Sequence, residues 1–328
     1  MRKIFSLALV AALFQFGSVS AQTPAAGAQA YPAKQVRFIV PFGAGGGVDI
    51  FSRTLAQRMR EQSGYTIVVE NIPGADGNIG ADLVAKAPAD GYTVLMSAVT
   101  LQIINSALQP KLPYDLVRDF APISLGTTAP LFLAVHHALP AKDFKEFTAL
   151  AKARAGKLSY GSSGTGSSLH LGGVMLDKAT GNETLHIPYK GGGPLMLDLI
   201  GGHIDYAWRL LGVMQSSVDS GKVRLLGVAA LKRYPSMPNI PTMAEQGLPG
   251  FEAETVYGIM VPKATPRAVQ EKLNADVVKA LESPDVKKKF LEQGMESFPS
   301  TQEAFANYLQ TNIAKYSKIV KESGIKKD

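Results

Sequence analysis

The stretch VRFIVPFGAGGGVDIFSR, residues 36–53, decides how the rest of the chain reads. Apart from Arg37, residues 36–41 are β-branched, aromatic or otherwise apolar, the composition of a buried strand. Glycines crowd the next segment, 42–47, and permit a tight turn. After Val48 the apolar spacing changes. Phe51, Leu55 and Met59 stand at i, i+4 and i+8, one face of a helix reaching residue 62. Strand, glycine turn and helix form one βα unit, and the unit recurs. YTIVVE (65–70) reads as a strand, residues 71–77 as a loop with Pro-Gly and Asp-Gly turn signals, 79–87 as a helix and 92–96 as a strand. Such alternation predicts an α/β fold with a parallel sheet covered by helices on both faces.

The middle of the chain repeats the theme. Strands are expected at 131–135, 158–161, 185–189, 204–208 and 223–229. Asp143 and Glu146 form a capping box that opens a helix to residue 153. A Ser/Gly-rich turn precedes a helix at 167–179, and Pro194 is expected at the first position of the next helix. A connection carrying Pro235, Pro238 and Pro241 leads to a strand at 257–261. Amphipathic helices at 266–281, 284–293 and 301–320 follow, and they need a sheet to cover. The simplest solution returns the chain to the first lobe. Residues 31–129 and 255–328 then form one lobe and 130–254 the other. Hinge strands near 129–131 and 254–257 leave a cleft between them.

The start of the chain sets the compartment. Arg2 and Lys3 precede an uncharged apolar run at 4–14, and Val19-Ser20-Ala21 ends in small residues. This is the pattern of a secretory signal peptide at 1–21, followed by a flexible leader at 22–30. A second cut is possible after Ala30. The apolar run is short of the ~20 residues that a membrane span needs. The chain is therefore expected in the periplasm. It contains no cysteine, which excludes thiolate catalysis and cysteine-ligated metals. Losing Arg2 and Lys3 lowers the formal charge from +7 to +5. The basic residues are scattered, so no nucleic-acid partner is expected.

Three loops stand where an α/β sheet binds ligands, after a strand and before a helix. They are 42–47, 162–168 and 190–193. Helix N-termini there offer unpaired N–H groups to an anion. The residues singled out are Phe42, Gly43, Ala44 and Gly45 in the first loop, and Ser162, Ser163, Gly164, Thr165 and Gly166 in the second. Asp49 stands in the first turn of the first helix, where the helix dipole and Arg53 already account for an acid. His170 stands one turn into a later helix, and the histidines show no metal-ligand spacing. Lys190 and Arg209 are strand-end cations. Arg209 follows Trp208, so a guanidinium and an indole are expected together at the cleft.

Several segments resemble the Bug extracytoplasmic solute receptors, the TctC-like binding component of tripartite tricarboxylate transporters. They include VPFGAGGGVDIFSR, VVENIPGADGNIGADLVAKAPADGYTVLM, LSYGSSGTGSSLHL, HIPYKGGGP and GGHIDYAW, in collinear order over about residues 31–324. The resemblance implies a periplasmic binding protein fold, type II-like, with two α/β lobes and a hinge. It implies a small carboxylate ligand, integral membrane transporter subunits as partners, a monomer, no cofactor and no metal. It places the carboxylate between Phe42, Gly43, Ala44, Gly45 and the Ser162–Gly166 loop, with Ser97, Tyr189 and Lys190 lining the same cleft. One segment departs from the family pattern: Trp208-Arg209-Leu210 stands where many relatives carry Phe-Asp-Asn. The ligand expected is a small organic acid, a mono- or dicarboxylate; an arginine in place of an acid favours a second anionic group and so a dicarboxylate, with aromatic dicarboxylates among the candidates.

Other activities fit less well. Glu70 stands at a dinucleotide-binding distance from the first turn, but 43–48 lacks the third glycine of G-x-G-x-x-G and there is no G-K-[ST]. No G-x-S-x-G or HExxH marks a hydrolase. The chain is expected not to be an enzyme. A binding protein that signals to a sensor partner is the alternative to one that feeds a transporter.

Overall fold

The structure, a computed structural model, describes residues 31–109 and 111–325; the expected signal peptide and leader lie outside the described residues. The chain opens with β1 (Val36–Val40), α1 (Gly47–Ser63), β2 (Ile67–Asn71), α2 (Asn78–Ala85), β3 (Thr93–Ala98) and α3 (Val99–Leu108). β1 pairs in parallel with both β2 and β3. α1 buries Phe51, Leu55 and Met59, the face marked by their spacing, and stops at Gly64 in the left-handed region. The long β4 (Phe120–His136) leads into α4 (Phe144–Ala153), β5 (Ser159–Ser162), α5 (Ser168–Thr180), β6 (Leu185–Pro188), α6 (Gly192–Gly201), β7 (Tyr206–Leu210), α7 (Gln215–Asp219) and β8 (Val223–Val228). The chain finishes with β9 (Glu254–Pro262), α8 (Arg267–Glu282), α9 (Pro284–Glu292), β10 (Glu296–Ser297) and α10 (Gln302–Ser323).

The strands run in the order β2-β1-β3-β9-β4-β7-β5-β6, with β8 and β10 also on β4. β4 belongs to both lobes. Its Phe120–Pro130 part pairs with β9, and Leu131–Val135 pairs with β7. At the crossing, the Leu131 N–H donates to the Ala253 carbonyl (2.9 Å), Ala253 N–H to Ala229 (3.1 Å) and Ala229 N–H to Leu131 (2.9 Å). Two chain passes are thus stitched together where the lobes meet. Pro130, which has no N–H to give, stands at the junction.

The sheet is mixed rather than parallel. β9 arrives from the second lobe and runs antiparallel to β3 and β4. A chain that leaves a lobe and returns by the same junction must come back in the opposite direction. Residues 120–130 and α3 were not expected as regular elements. Pro122, Gly126 and Pro130 read as breakers, yet register shifts at Pro122/Ser124 and Leu125/Thr127 absorb the irregularity. Pro194 stands third in α6, not first. The Asp143 box is displaced by one residue: Asp143 accepts from the Glu146 N–H, while Glu146 accepts from the Lys142 N–H.

Apolar clusters pack against the sheet in both lobes. One apolar cluster fills the second lobe around Phe132, Phe147, Tyr206 and Trp208. The first lobe has one on each face, around Phe38 and Phe51 on one side and Ile39, Ile103 and Phe305 on the other. α8 contributes Leu273, Val277 and Leu281 to the former; α10 contributes Phe305, Leu309 and Tyr316 to the latter. No helix among the described residues is long and apolar enough to cross a membrane.

Candidate ligand-binding cleft

Loops at the carboxyl ends of β1, β3, β5, β6 and β7 face a common gap. Between them lies a cavity of about 310 Å³. The first lobe supplies Phe42, Gly46, Gly47, Val48, Ala98, Leu101 and Tyr257; the second supplies Ser163, Ser168, Leu169, Gly192, Arg209, Leu210 and Val213; Thr255 lies at the crossing. The walls are mostly apolar, with Ser163, Ser168, Arg209 and Thr255 among the polar groups. A larger hollow of about 630 Å³ lies on the outer face of the first lobe, beside Lys263, Arg267 and Thr301. Only one lobe forms it, and Arg267 there is already paired with Glu271. The smaller cavity is the better candidate, because both lobes contribute to it.

Four helices begin at this cavity: α1 after Gly46, α3 after Ala98, α5 after Ser167 and α6 after Gly191. Only α5 has a side-chain cap, from Ser167 to the His170 N–H. At the other three no side chain accepts from the first turn. Partial positive charge from several helix ends therefore converges on one small space.

Arg209 adds a full charge. It is 6% exposed and lies at the end of β7, against Gly192. Among the described residues it has no ion pair and no hydrogen bond, and its Nε is buried without a partner. Burial lowers its pKa to about 10, which leaves it cationic at neutral pH. A charge taken out of water without a counter-charge costs several kcal/mol. Arg209 borders the cavity. Trp208 does not accompany it. Successive strand residues face opposite ways, so the indole is fully buried and stacks on Phe251 at 5.6 Å.

A model of the tripartite tricarboxylate transporter family receptors matches residues 51–325. The chain belongs to that family. The family's members are substrate-binding receptors and not enzymes. A Pseudomonas protein described as lying in the tcbD-tcbE intergenic region is 37% identical to this receptor, covering 89% of this chain and 87% of the relative. Among solved structures, the periplasmic binding protein BugD is 34% identical with a TM-score of 0.78 over 91% of this chain and 100% of that one. The R. palustris protein Rpa4515, solved with adipate, is 32% identical with a TM-score of 0.81 over 90% and 99%. The two-lobed periplasmic binding protein fold expected from sequence is the one these neighbours share.

Of the residues singled out in the receptor's sequence, Phe42, Ser163 and Arg209 border the cavity. Gly43, Ala44 and Gly45 lie exposed in the same loop, one step before the bordering Gly46 and Gly47. Asp49 holds that loop. Its carboxylate accepts from the Gly45 N–H, Asn71 and Arg53, all near 2.9 Å. Burial pushes the Asp49 pKa up, but these donors outweigh it and the net shift is downward. Ser97 is buried and bonded to Gln102. Ser162 is buried against His186. Gly164 and Gly166 take left-handed φ values of 133° and 78° and shape the second loop, with Thr165 half-buried between them. His170 accepts the Gly166 N–H at Nδ1 (3.0 Å) and stacks on His186, so it supports the loop from behind. The Tyr189 hydroxyl donates to Asp198 (2.6 Å), and Lys190 is exposed outside the cavity wall. Glu70, the dinucleotide-like acid, is paired with Arg37 at 2.7 and 2.8 Å.

Sequence reasoning missed the helix residues just past each turn, Val48, Ser168 and Leu169, and the junction residues Thr255 and Tyr257. The first group was within reach, since a helix N-terminus presents its opening residues as well as the turn before it. Val213 carried no signal. Among the described residues, no group of three or more His, Asp or Glu side chains is arranged to hold a metal.

Proposed function

We propose that this receptor captures a small dicarboxylate with an apolar, preferably aromatic, body outside the cytoplasm and delivers it to integral membrane transporter subunits. The carrying observation is Arg209, a buried guanidinium with no partner among the described residues, bordering a cavity where helix N-termini converge. One carboxylate pairs with Arg209 beside the α6 N-terminus. The other takes N–H groups from the α1 turn across the cleft. The apolar walls, Phe42 and Leu169 among them, hold the body between. Adipate in Rpa4515 is a dicarboxylate with an apolar middle, which supports this reading. In this proposal residues 1–21 direct export. Residues 31–129 with 255–328, and residues 130–254, form the lobes that close on the ligand as a monomer.

Calorimetric titration with succinate, adipate, benzene-1,4-dicarboxylate, aspartate and glutamate tests the assignment. Dicarboxylates are expected to bind, and Arg209→Ala to weaken them by about 30-fold, on the order of 2 kcal/mol for a charge-assisted bond. Tight aspartate or glutamate binding that survives Arg209→Ala would sink it.

A further inference from the structure

The loop before α2 is held in a conformation that ordinary residues avoid. Ala75 and Asp76 both take left-handed φ values, 46° and 54°. Adjacent non-glycine residues in that region persist only where their surroundings over-determine them. Here the surroundings are a buried polar cluster. The Tyr114 hydroxyl donates to Asn78 Oδ1 (2.7 Å), Asn105 Nδ2 donates to the Asp76 carbonyl (3.1 Å), and the Gly77 N–H donates to the Gly74 carbonyl (3.0 Å). Tyr114, Asn78 and Asn105 are each at most 5% exposed. No residue of this loop borders the cavity.

What the loop does touch is Phe42. A Cβ added to Gly77 would lie 2.8 Å from Phe42 Cζ and 3.3 Å from both Cε atoms. The Phe42 carbonyl is meanwhile gripped by Asn71 Nδ2 (3.0 Å). The backbone of Phe42 is thus fixed at one end, and its ring tip rests against a rigid wall at the other. Phe42 is half-buried and borders the cavity.

We infer that Gly77 is a specificity-determining position. The clamped turn is a backstop that sets how far the Phe42 ring reaches into the cleft, and so how bulky an acid the cleft admits. This rests on the reading of the cleft as the ligand site. A side chain at 77 strains a turn residue whose φ is 89° and also meets the ring tip 2.8 Å away; the tip of the ring is freer to yield than the clamped backbone, and Phe42 borders the cavity. The bulky ligand then loses more than the slim one.

The test compares benzene-1,4-dicarboxylate with succinate by calorimetry. Gly77→Ala is expected to lower affinity for the aromatic acid by about tenfold relative to succinate, the scale of one methyl group's volume in a pocket. Combining it with Phe42→Leu is expected to restore the original preference, which a merely structural lesion would not do. Equal losses for both acids, or no restoration in the double variant, overturn the inference. A crystal structure of ligand-free Gly77→Ala gives an answer that does not depend on any acid binding. The ring is expected to swing toward the cleft, and an unmoved ring overturns the inference even if the wild type binds neither acid. That last result, by itself, counts against the cleft reading instead. Should Gly77→Ala not fold, Tyr114→Phe removes one clamp bond and is expected to change the affinity ratio by about threefold; an unchanged ratio overturns the inference equally.

Discussion

At the scale of single residues, Arg209 concentrates the cost and the use of the site. The strand alternation that sends Trp208 into the core sends its neighbour to the cavity. A buried unpaired cation opposes folding and favours an anion by the same electrostatics. Stability and binding are therefore expected to move in opposite directions. Arg209→Met keeps most of the volume and removes the charge. Without ligand it is expected to stabilise the protein by roughly 1–4 kcal/mol, read as a higher urea midpoint, while dicarboxylate binding weakens by about 30-fold, as for Arg209→Ala. A lower midpoint would show that the guanidinium already has a partner in the free protein.

At the scale of elements, α5 couples a cleft loop to the second lobe's core. Gly172 and Gly173 bring the helix down onto Trp208 and Tyr160, where a Cβ would lie 2.9 and 2.2 Å from the rings. Its first turn is tied to the Ser/Gly loop through His170. Burial first, and then His186 stacked at 3.7 Å, lower the His170 pKa to about 4. Burial lowers His186 as well. The sign follows from proton uptake. Between an ordinary histidine pKa of ~6.5 and 4, the unfolded chain binds a proton that folded His170 refuses. Stability is therefore fully present above about 6.5 and is lost as pH falls toward 4, by on the order of 3 kcal/mol from this group. His170→Asn keeps an acceptor for the Gly166 N–H and cannot titrate. Its unfolding midpoint is expected to fall less steeply with acid than that of the wild type. Parallel curves would remove His170 as the cause.

At the scale of the whole molecule, the lobes meet beyond the stitched junction. Leu171 of α5 packs in the first lobe's cluster with Val99, Ile103 and Phe305. A Cβ on Gly166 would strike Leu108 at 2.4 Å, and one on Gly212 would lie 2.3 Å from the Gln293 carbonyl oxygen. Gly212 carries no cavity-facing side chain, so Gly212→Ala works as a wedge between lobes. It is expected to weaken ligand binding by about tenfold through a changed lobe angle, since an induced closure is worth only its differential affinity. Small-angle scattering is expected to show the wild type compacting at saturating ligand and the wedge variant compacting less. A wild-type profile unchanged at saturation would argue against closure.

Periodicity and turn chemistry are local properties, and they were legible. The 36–53 stretch, the spacing of Phe51, Leu55 and Met59, and the cap at Asp143 each reported the element that holds them. The loops that approach the cleft were legible for the same reason, because a glycine turn between strand and helix is written in consecutive residues. What pairing across long separations decides was not. The direction of β9, the bulged strand through Pro122 and Gly126, and the place of the hinge residues Thr255 and Tyr257 in the cavity wall depend on partners more than a hundred residues away. The same holds within the site. Sequence named Asp49, Ser97, His170 and Arg209 as candidates alike. Only the tertiary structure surrounds the first three with partners and, among the described residues, leaves Arg209 with none, because the number of hydrogen-bonding groups within reach of a buried side chain is set by packing and not by its neighbours in the chain.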